Sequence, residues 1–276
     1  MIEILFALAL AVALPMGALV VVGLISGPAR TGRLAVVVGG AISGAVGALA
    51  IGRGPLAAVI ATPWWVVAVG LAVAAVARLV RDVATARSAP EPWRIALAAA
   101  TAFLAVGATW LIIDRAGLRP LGFGTTIVLL TAVHFHVAGF VLTLAGALAA
   151  RERPGLASLV PVGLLVTGTP LTALGFMGLP GVGWVGAILV SLGGLGIGLA
   201  TIVIGTGVTA GVPRALLVIA GATLFVTMPL AAAYATGTTF GIPALDIPTM
   251  AALHGGLNVV GFAIPAMIGW RWRLAR

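Results

Sequence analysis

The sequence predicts an all-α fold: a polytopic transmembrane helix bundle of about nine spans, with the N-terminus outside and the C-terminus cytoplasmic. Three observations carry this. Of the 276 residues, 62% are hydrophobic and 8% charged, with a mean hydropathy of +1.25; a soluble domain holds ~25% charged residues. The apolar residues fall in runs of about 20, the length that crosses ~30 Å of hydrocarbon. The charges fall at the ends of those runs, and the arginines sort to one side.

The first run, 2–25, carries Glu3 near its start and has no basic segment before it. It is too long for the apolar part of a secretory signal, so it is expected to stay as a span. Gly27-Pro28-Ala29-Arg30 ends it. The second run, 34–51, closes at Gly52-Arg53-Gly54-Pro55, and the third, 57–80, gives way to the polar stretch from Arg81 to Trp93. The fourth, 94–113, stops at Asp114, and a loop continues to Gly124. The fifth, 125–150, ends at Arg151 to Gly155. The sixth (157–177) and seventh (183–205) are parted only by Gly178 to Gly181, with no charge between Arg153 and Arg214. The eighth, 215–236, follows Thr206 to Arg214, and the ninth, 249–270, follows Gly237 to Pro248. The loops are short, so residues 1–276 are expected to form a single integral membrane domain.

With the N-terminus outside, the cytoplasmic ends hold Arg30, Arg33, Arg78, Arg81, Arg87, Arg94, Arg151, Arg153, Arg214, Arg271, Arg273 and Arg276. The outer ends hold Arg53, Arg115 and Arg119. Twelve against three is the asymmetry that basic residues impose on membrane topology, and a miscount of one span would scramble it. Trp93, Trp184, Trp270 and Trp272 fall at span ends, where an interfacial belt would place them. The net charge of +9 is therefore topological; with no basic face there is no nucleic-acid footprint. Cysteine is absent, which removes disulfides, thiolate metal sites, iron–sulfur clusters and a Cys nucleophile.

The 39 glycines read as packing residues. Gly40-x-x-x-Gly44 and the group Gly193, Gly194, Gly196 and Gly198 let helix backbones approach closely. Gly194-Leu-Gly196-Ile-Gly198 has no strand before it and is not a nucleotide fingerprint. No internal repeat of the kind many transporters use is visible.

An ionisable group inside a span is a functional candidate by default, because lipid makes it expensive. All three histidines qualify. His134 and His136 sit about ten residues into span five, ~15 Å deep at 1.5 Å per residue and close to the midplane. His254 sits about five residues into span nine, ~8 Å deep. Asp246, just before span nine, and Asp114, ending span four, lie on the same outer side. His254 and Asn258 are i, i+4 and share a face; Thr131 and His134, at i, i+3, do so too. His134 and His136 are i, i+2, about 200° apart, so one is expected to bond a neighbouring helix while the other faces a cavity. Span six reads Thr167-Gly168-Thr169-Pro170-Leu171-Thr172, and span eight Thr227-Met228-Pro229 with Tyr234. Proline frees a backbone carbonyl that a nearby threonine can satisfy. The candidate catalytic set is thus His134, His136, His254, Asp246 and Asp114. The candidate substrate-binding set is Asn258, Thr131, Tyr234, Trp110, Thr169 and Thr227.

His134-Phe-His136-x-Ala-Gly139-Phe140 in one span and His254-Gly255-x-x-Asn258-x-x-Gly261-Phe262 in the last resemble the YndJ-like family of bacterial integral membrane proteins. The resemblance implies a polytopic bacterial protein, in a family sometimes labelled a transporter without a demonstrated cargo. It picks out His134, His136, His254 and Asn258 and supplies no mechanism.

Three function classes follow. The leading one is a membrane-embedded enzyme using His/Asp acid–base chemistry on a lipophilic small molecule, since histidine titrates near neutrality and a carboxylate can fix its tautomer. Isomerisation, cyclisation, epoxide opening or hydration would need no cofactor, and none is expected. No nucleophile elbow points to acyl transfer. The second is a transporter or flippase of a hydrophobic small molecule; the inner halves of the spans hold no acidic residue for a proton relay. The third is a metal or haem protein, for which three histidines and a carboxylate fit by ligand type but the i, i+2 spacing and the lack of a His-Glu-x-x-His pair do not. The expected partners are the lipid bilayer and a lipophilic substrate, and not nucleic acid.

Overall fold

A long apolar segment in lipid has no water to satisfy its backbone, so it must close its own hydrogen bonds, and the helix does this within one segment. The computed structural model of the chain describes residues 1–85, 91–209 and 211–275. Among them are nine helices long and apolar enough to cross a membrane, and no strand. They are α1 (Ile2–Ser26), α2 (Thr31–Ala50), α3 (Pro55–Thr85), α4 (Pro92–Arg115), α5 (Thr125–Glu152), α6 (Leu156–Phe176), α7 (Pro180–Thr206), α8 (Val212–Phe240) and α9 (Ile247–Leu274). All nine expected spans are present. Several helices overrun the apolar run, as α3 does to Thr85, because charged residues continue a helix beyond the apolar stretch. Arg87 and Arg276, two members of the charge pattern, lie outside the described residues.

The chain divides into two compact units, Phe6–Leu144 and a second made of Met1–Leu5 with the residues from Ala145 onward. In the first unit helices adjacent in sequence pack as neighbours: α1 on α2, α2 on α3, α3 on α4, and α4 on the first part of α5. Phe6, Leu10, Leu14, Trp64, Leu104, Leu111 and Phe140 are fully buried there. Helices already surrounded by apolar lipid associate through close packing and polar contacts rather than hydrophobic burial, so close approaches matter. At Gly44 an added Cβ would stand 2.8 Å from the Ile60 carbonyl oxygen, whereas Gly40 has open space. Only one end of the Gly40-x-x-x-Gly44 pair therefore carries the α2–α3 crossing.

In the second unit the main contacts are α6 on α7, α7 on α8, and α8 on α9. The glycines of α7 serve two neighbours. A Cβ on Gly193 would meet the Pro161 carbonyl of α6 at 2.7 Å, and one on Gly198 the Gly221 carbonyl of α8 at 2.8 Å. Helix α6 continues through Pro161 and Pro170, and α8 through Pro229. The hydroxyls near Pro170 turn back on their own helix: Thr169 donates to Leu165 O (2.8 Å) and Thr172 to Gly168 O (2.9 Å). Trp270 is completely buried, while Trp272 is exposed. Sequence position placed both at the interface, but the two indoles point to different sides of one helix. Trp184 donates to Thr236 Oγ1 at 3.0 Å.

Candidate functional site

The histidines of α5 lie where that helix widens. Phe135–Leu142 forms π-helical turns directly after His134. Such turns hold an extra residue, redirect the side chains around them and recur at functional sites. Ala9–Ala13 of α1 and the two segments Ala251–Gly255 and Asn258–Ala263 of α9 are also π-helical. His136, His254 and Asn258 are thus all inside widened turns.

In the first unit His136 is fully buried. Its Nδ1 lies 2.8 Å from Ala132 O. A carbonyl only accepts, so Nδ1 carries the hydrogen and Nε2 keeps the lone pair. The Trp64 indole N–H donates to that Nε2 at 3.0 Å. The Phe6 ring meets the imidazole edge-on with centroids 5.1 Å apart, and Trp64 stacks at 6.1 Å. Gly107 of α4 makes room: a Cβ there would lie 2.8 Å from His136 Nδ1. His136 is a polar rivet joining α3 to α5, with both nitrogens committed. His134 points elsewhere, as the i, i+2 spacing requires. It is exposed, and its Nδ1 donates to Leu130 O at 2.7 Å. Its Nε2 has no hydrogen-bond partner among the described residues. Thr131 donates to Ile127 O at 2.8 Å.

In the second unit three residues close a hydrogen-bonded ring. His254 Nδ1 donates to the Thr227 carbonyl (2.9 Å), Asn258 Nδ2 donates to His254 Nε2 (3.1 Å), and Thr227 Oγ1 donates to Asn258 Oδ1 (2.9 Å). Thr227 and Asn258 are buried and His254 is half-buried. The i, i+4 relation of His254 and Asn258 places their contact on one face of α9, and Thr227 joins it from α8. One turn further along the same two helices, Thr223 Oγ1 donates to Gly261 O at 3.0 Å.

The carboxylates have other partners. Asp114, fully buried, pairs with Arg53 Nε at 3.1 Å and with the buried Arg115. Arg115 also reaches Ala48 O at 3.3 Å. This network ties the ends of α2 and α4 to the turn between α2 and α3. Asp246 is exposed and caps α9 by accepting from Thr249 N at 2.8 Å. Its carboxyl is held below the usual carboxylate range, first by the Thr249 side chain and then by the Thr249 N–H. Trp110 is half-buried against Phe123, with ring centroids 6.3 Å apart. Tyr234 is half-buried, and its hydroxyl has no described hydrogen-bond partner. Among the described residues no group of three or more His, Asp or Glu side chains is placed to hold a metal ion.

Three contributors were not singled out from the sequence: Trp64, Gly107 and Arg53. Trp64 had a usable signal, since an indole in mid-span lies outside the interfacial belt and needs a hydrogen-bond acceptor in lipid. Gly107 and Arg53 had none, because only the fold brings them to His136 and Asp114.

A family model described as "YndJ-like protein" matches residues 4–262. The "Uncharacterized membrane protein YndJ" of Bacillus subtilis (strain 168) is 30% identical over 173 residues, which is 61% of this chain and 31% of that protein. The chain therefore spans about a third of the length of this curated relative. No solved structure matches it. With nine helices long and apolar enough to cross a membrane among its described residues and a family match over most of its length, the chain belongs to the YndJ-like family of multi-pass bacterial membrane proteins.

Proposed function

We propose that the chain is a membrane-embedded enzyme acting on a lipophilic small molecule by acid–base chemistry of the isomerase or cyclase type, with His134 Nε2 as the base. The observation that carries this is the common tautomer of the three histidines. Each donates Nδ1–H to a backbone carbonyl, of Leu130, Ala132 or Thr227, and so presents Nε2 as its basic nitrogen. At His136 and His254 that nitrogen accepts from Trp64 and Asn258. At His134 it meets no described donor, and the side chain is exposed. Base and substrate would meet deep in an apolar span. His134 takes a proton from a carbon next to a double bond and returns it at the far end, so the reaction needs no cofactor and no net proton.

Such a reaction leaves the mass of the substrate unchanged. The test compares lipid extracts of cells producing the wild-type chain or His134→Gln by chromatography and mass spectrometry. The expected result is a pair of equal-mass species whose ratio shifts only with the wild type, while both proteins purify at the same size. An identical isomer ratio with both chains overturns the reading.

A further inference from the structure

The second unit contains a cavity far from the histidines along α9. It has a volume of about 350 Å³ and is lined by Glu152, Gly207, Val208, Thr209, Pro213, Trp272 and Arg273. These residues come from the last turn of α5, the end of α7, the start of α8 and the end of α9, so four helix ends meet at the arginine-rich end of the unit. Ligand pockets run from ~300 to ~1,000 Å³, so this one is large enough for a small polar group.

Arg273 is the cation in its wall. Its Nε lies 2.6 Å and 2.7 Å from the two carboxylate oxygens of Glu152. That pairing uses one edge of a planar guanidinium that carries five N–H donors. The Nη1 and Nη2 groups have no hydrogen-bond partner among the described residues. Glu152 therefore fixes the orientation of Arg273 and leaves a forked donor edge over. The neighbouring charges are positive: Arg151 and Arg153 flank Glu152, Arg214 follows Pro213, and Arg271 precedes Trp272. Pro213 opens α8, a helix of 29 residues whose N-terminal end carries partial positive charge. Trp272, 46% exposed, supplies the amphipathic ring that favours the headgroup level of a bilayer.

We propose that this cavity binds a phosphate group, held by the free edge of Arg273, and that the phosphate belongs to the headgroup of an anionic phospholipid. Guanidinium matches phosphate with two parallel hydrogen bonds. Basic pockets between spans at one membrane face hold such headgroups, and this cavity is lined by the ends of four apolar helices. The cluster would dock a lipid against α5, α8 and α9, independently of any chemistry at His134.

Purified full-length chain, stripped of lipid in nonionic detergent, is titrated with phosphatidylglycerol or phosphatidylcholine and followed by native mass spectrometry. The wild type is expected to retain one phosphatidylglycerol with about tenfold preference over phosphatidylcholine, which offers the same phosphate but carries a choline cation that the surrounding arginines repel. Arg273→Gln is expected to lose that preference. Because this change leaves Glu152 without its partner, the paired variant Glu152→Gln/Arg273→Gln is measured beside it, and it should lose the preference too. Equal retention of the two lipids by the wild type, or an unchanged preference in the paired variant, overturns the site. Displacement of the lipid by inorganic phosphate at a similar concentration overturns the lipid assignment and leaves a site for the free ion.

Discussion

Replacing Asp114 by alanine tests whether this carboxylate is structural. Asp114 and Arg115 are 0% and 1% exposed, and the Arg53 side chain is 31% exposed. At 3.1 Å and an effective dielectric of ~20, one ion pair attracts by ~5 kcal/mol. Most of that offsets the cost of taking the charges out of water. Without the carboxylate, Arg115 stays buried with its charge unbalanced by Asp114, although it keeps neutral acceptors such as the Ala48 carbonyl (3.3 Å). Losing one partner of a buried pair costs about 3–5 kcal/mol. For a chain of this size each kcal/mol lowers the melting temperature by roughly 2–4 °C, so Asp114→Ala should melt about 6–20 °C below the wild type. The assay is tryptophan fluorescence against temperature in detergent, with size exclusion after heating. The variant Asp114→Asn/Arg115→Met removes both charges and should recover much of the loss. If Asp114→Ala melts with the wild type, or the paired variant is as unstable as the single one, the network does not stabilise the first unit and the carboxylate is available for other chemistry.

Trp64→Phe strips His136 Nε2 of its donor, and an orphaned buried acceptor costs about 1–3 kcal/mol; the same melting assay should show this, while Trp65→Phe, on an exposed bond to Thr109, should melt within about 1 kcal/mol of the wild type. Gly107→Ala forces a methyl to 2.8 Å from His136 Nδ1, and this overpacking should destabilise by about 1–3 kcal/mol, with no loss if the ring can step aside. Asn258→Leu opens the Thr227–His254–Asn258 ring and should lower the melting temperature more than Thr131→Val, whose hydroxyl bonds only its own helix. Asp246 has its folded value lowered, so its capping contribution is complete above the ordinary carboxylate value of about 4 and fades as pH falls through the lower folded value. Hydrogen exchange at Thr249, corrected for intrinsic rates, should therefore quicken in acid for the wild type and show no such step in Asp246→Ala.

The number and placement of the spans were legible in the sequence because both are local properties. An apolar run of about 20 residues needs no knowledge of its neighbours to become a helix in lipid, and even the chargeless stretch between Arg153 and Arg214 broke where Gly178 to Gly181 suggested. The pairing of His254 with Asn258 was legible for the same reason, since i, i+4 residues share a face whatever the fold. So was the divergence of His134 and His136. What lay outside the sequence was every partner at long range. Trp64 is 72 residues from His136, and Arg53 is 61 residues from Asp114. A hydrogen bond between spans depends on which helix faces which, and hydropathy does not record that. The sequence could place Asp114 and Asp246 on the same side as the histidines by depth alone. Only the packing of helix ends assigned one to two arginines and the other to the first turn of its own helix, because a charged group takes the partner that is already beside it.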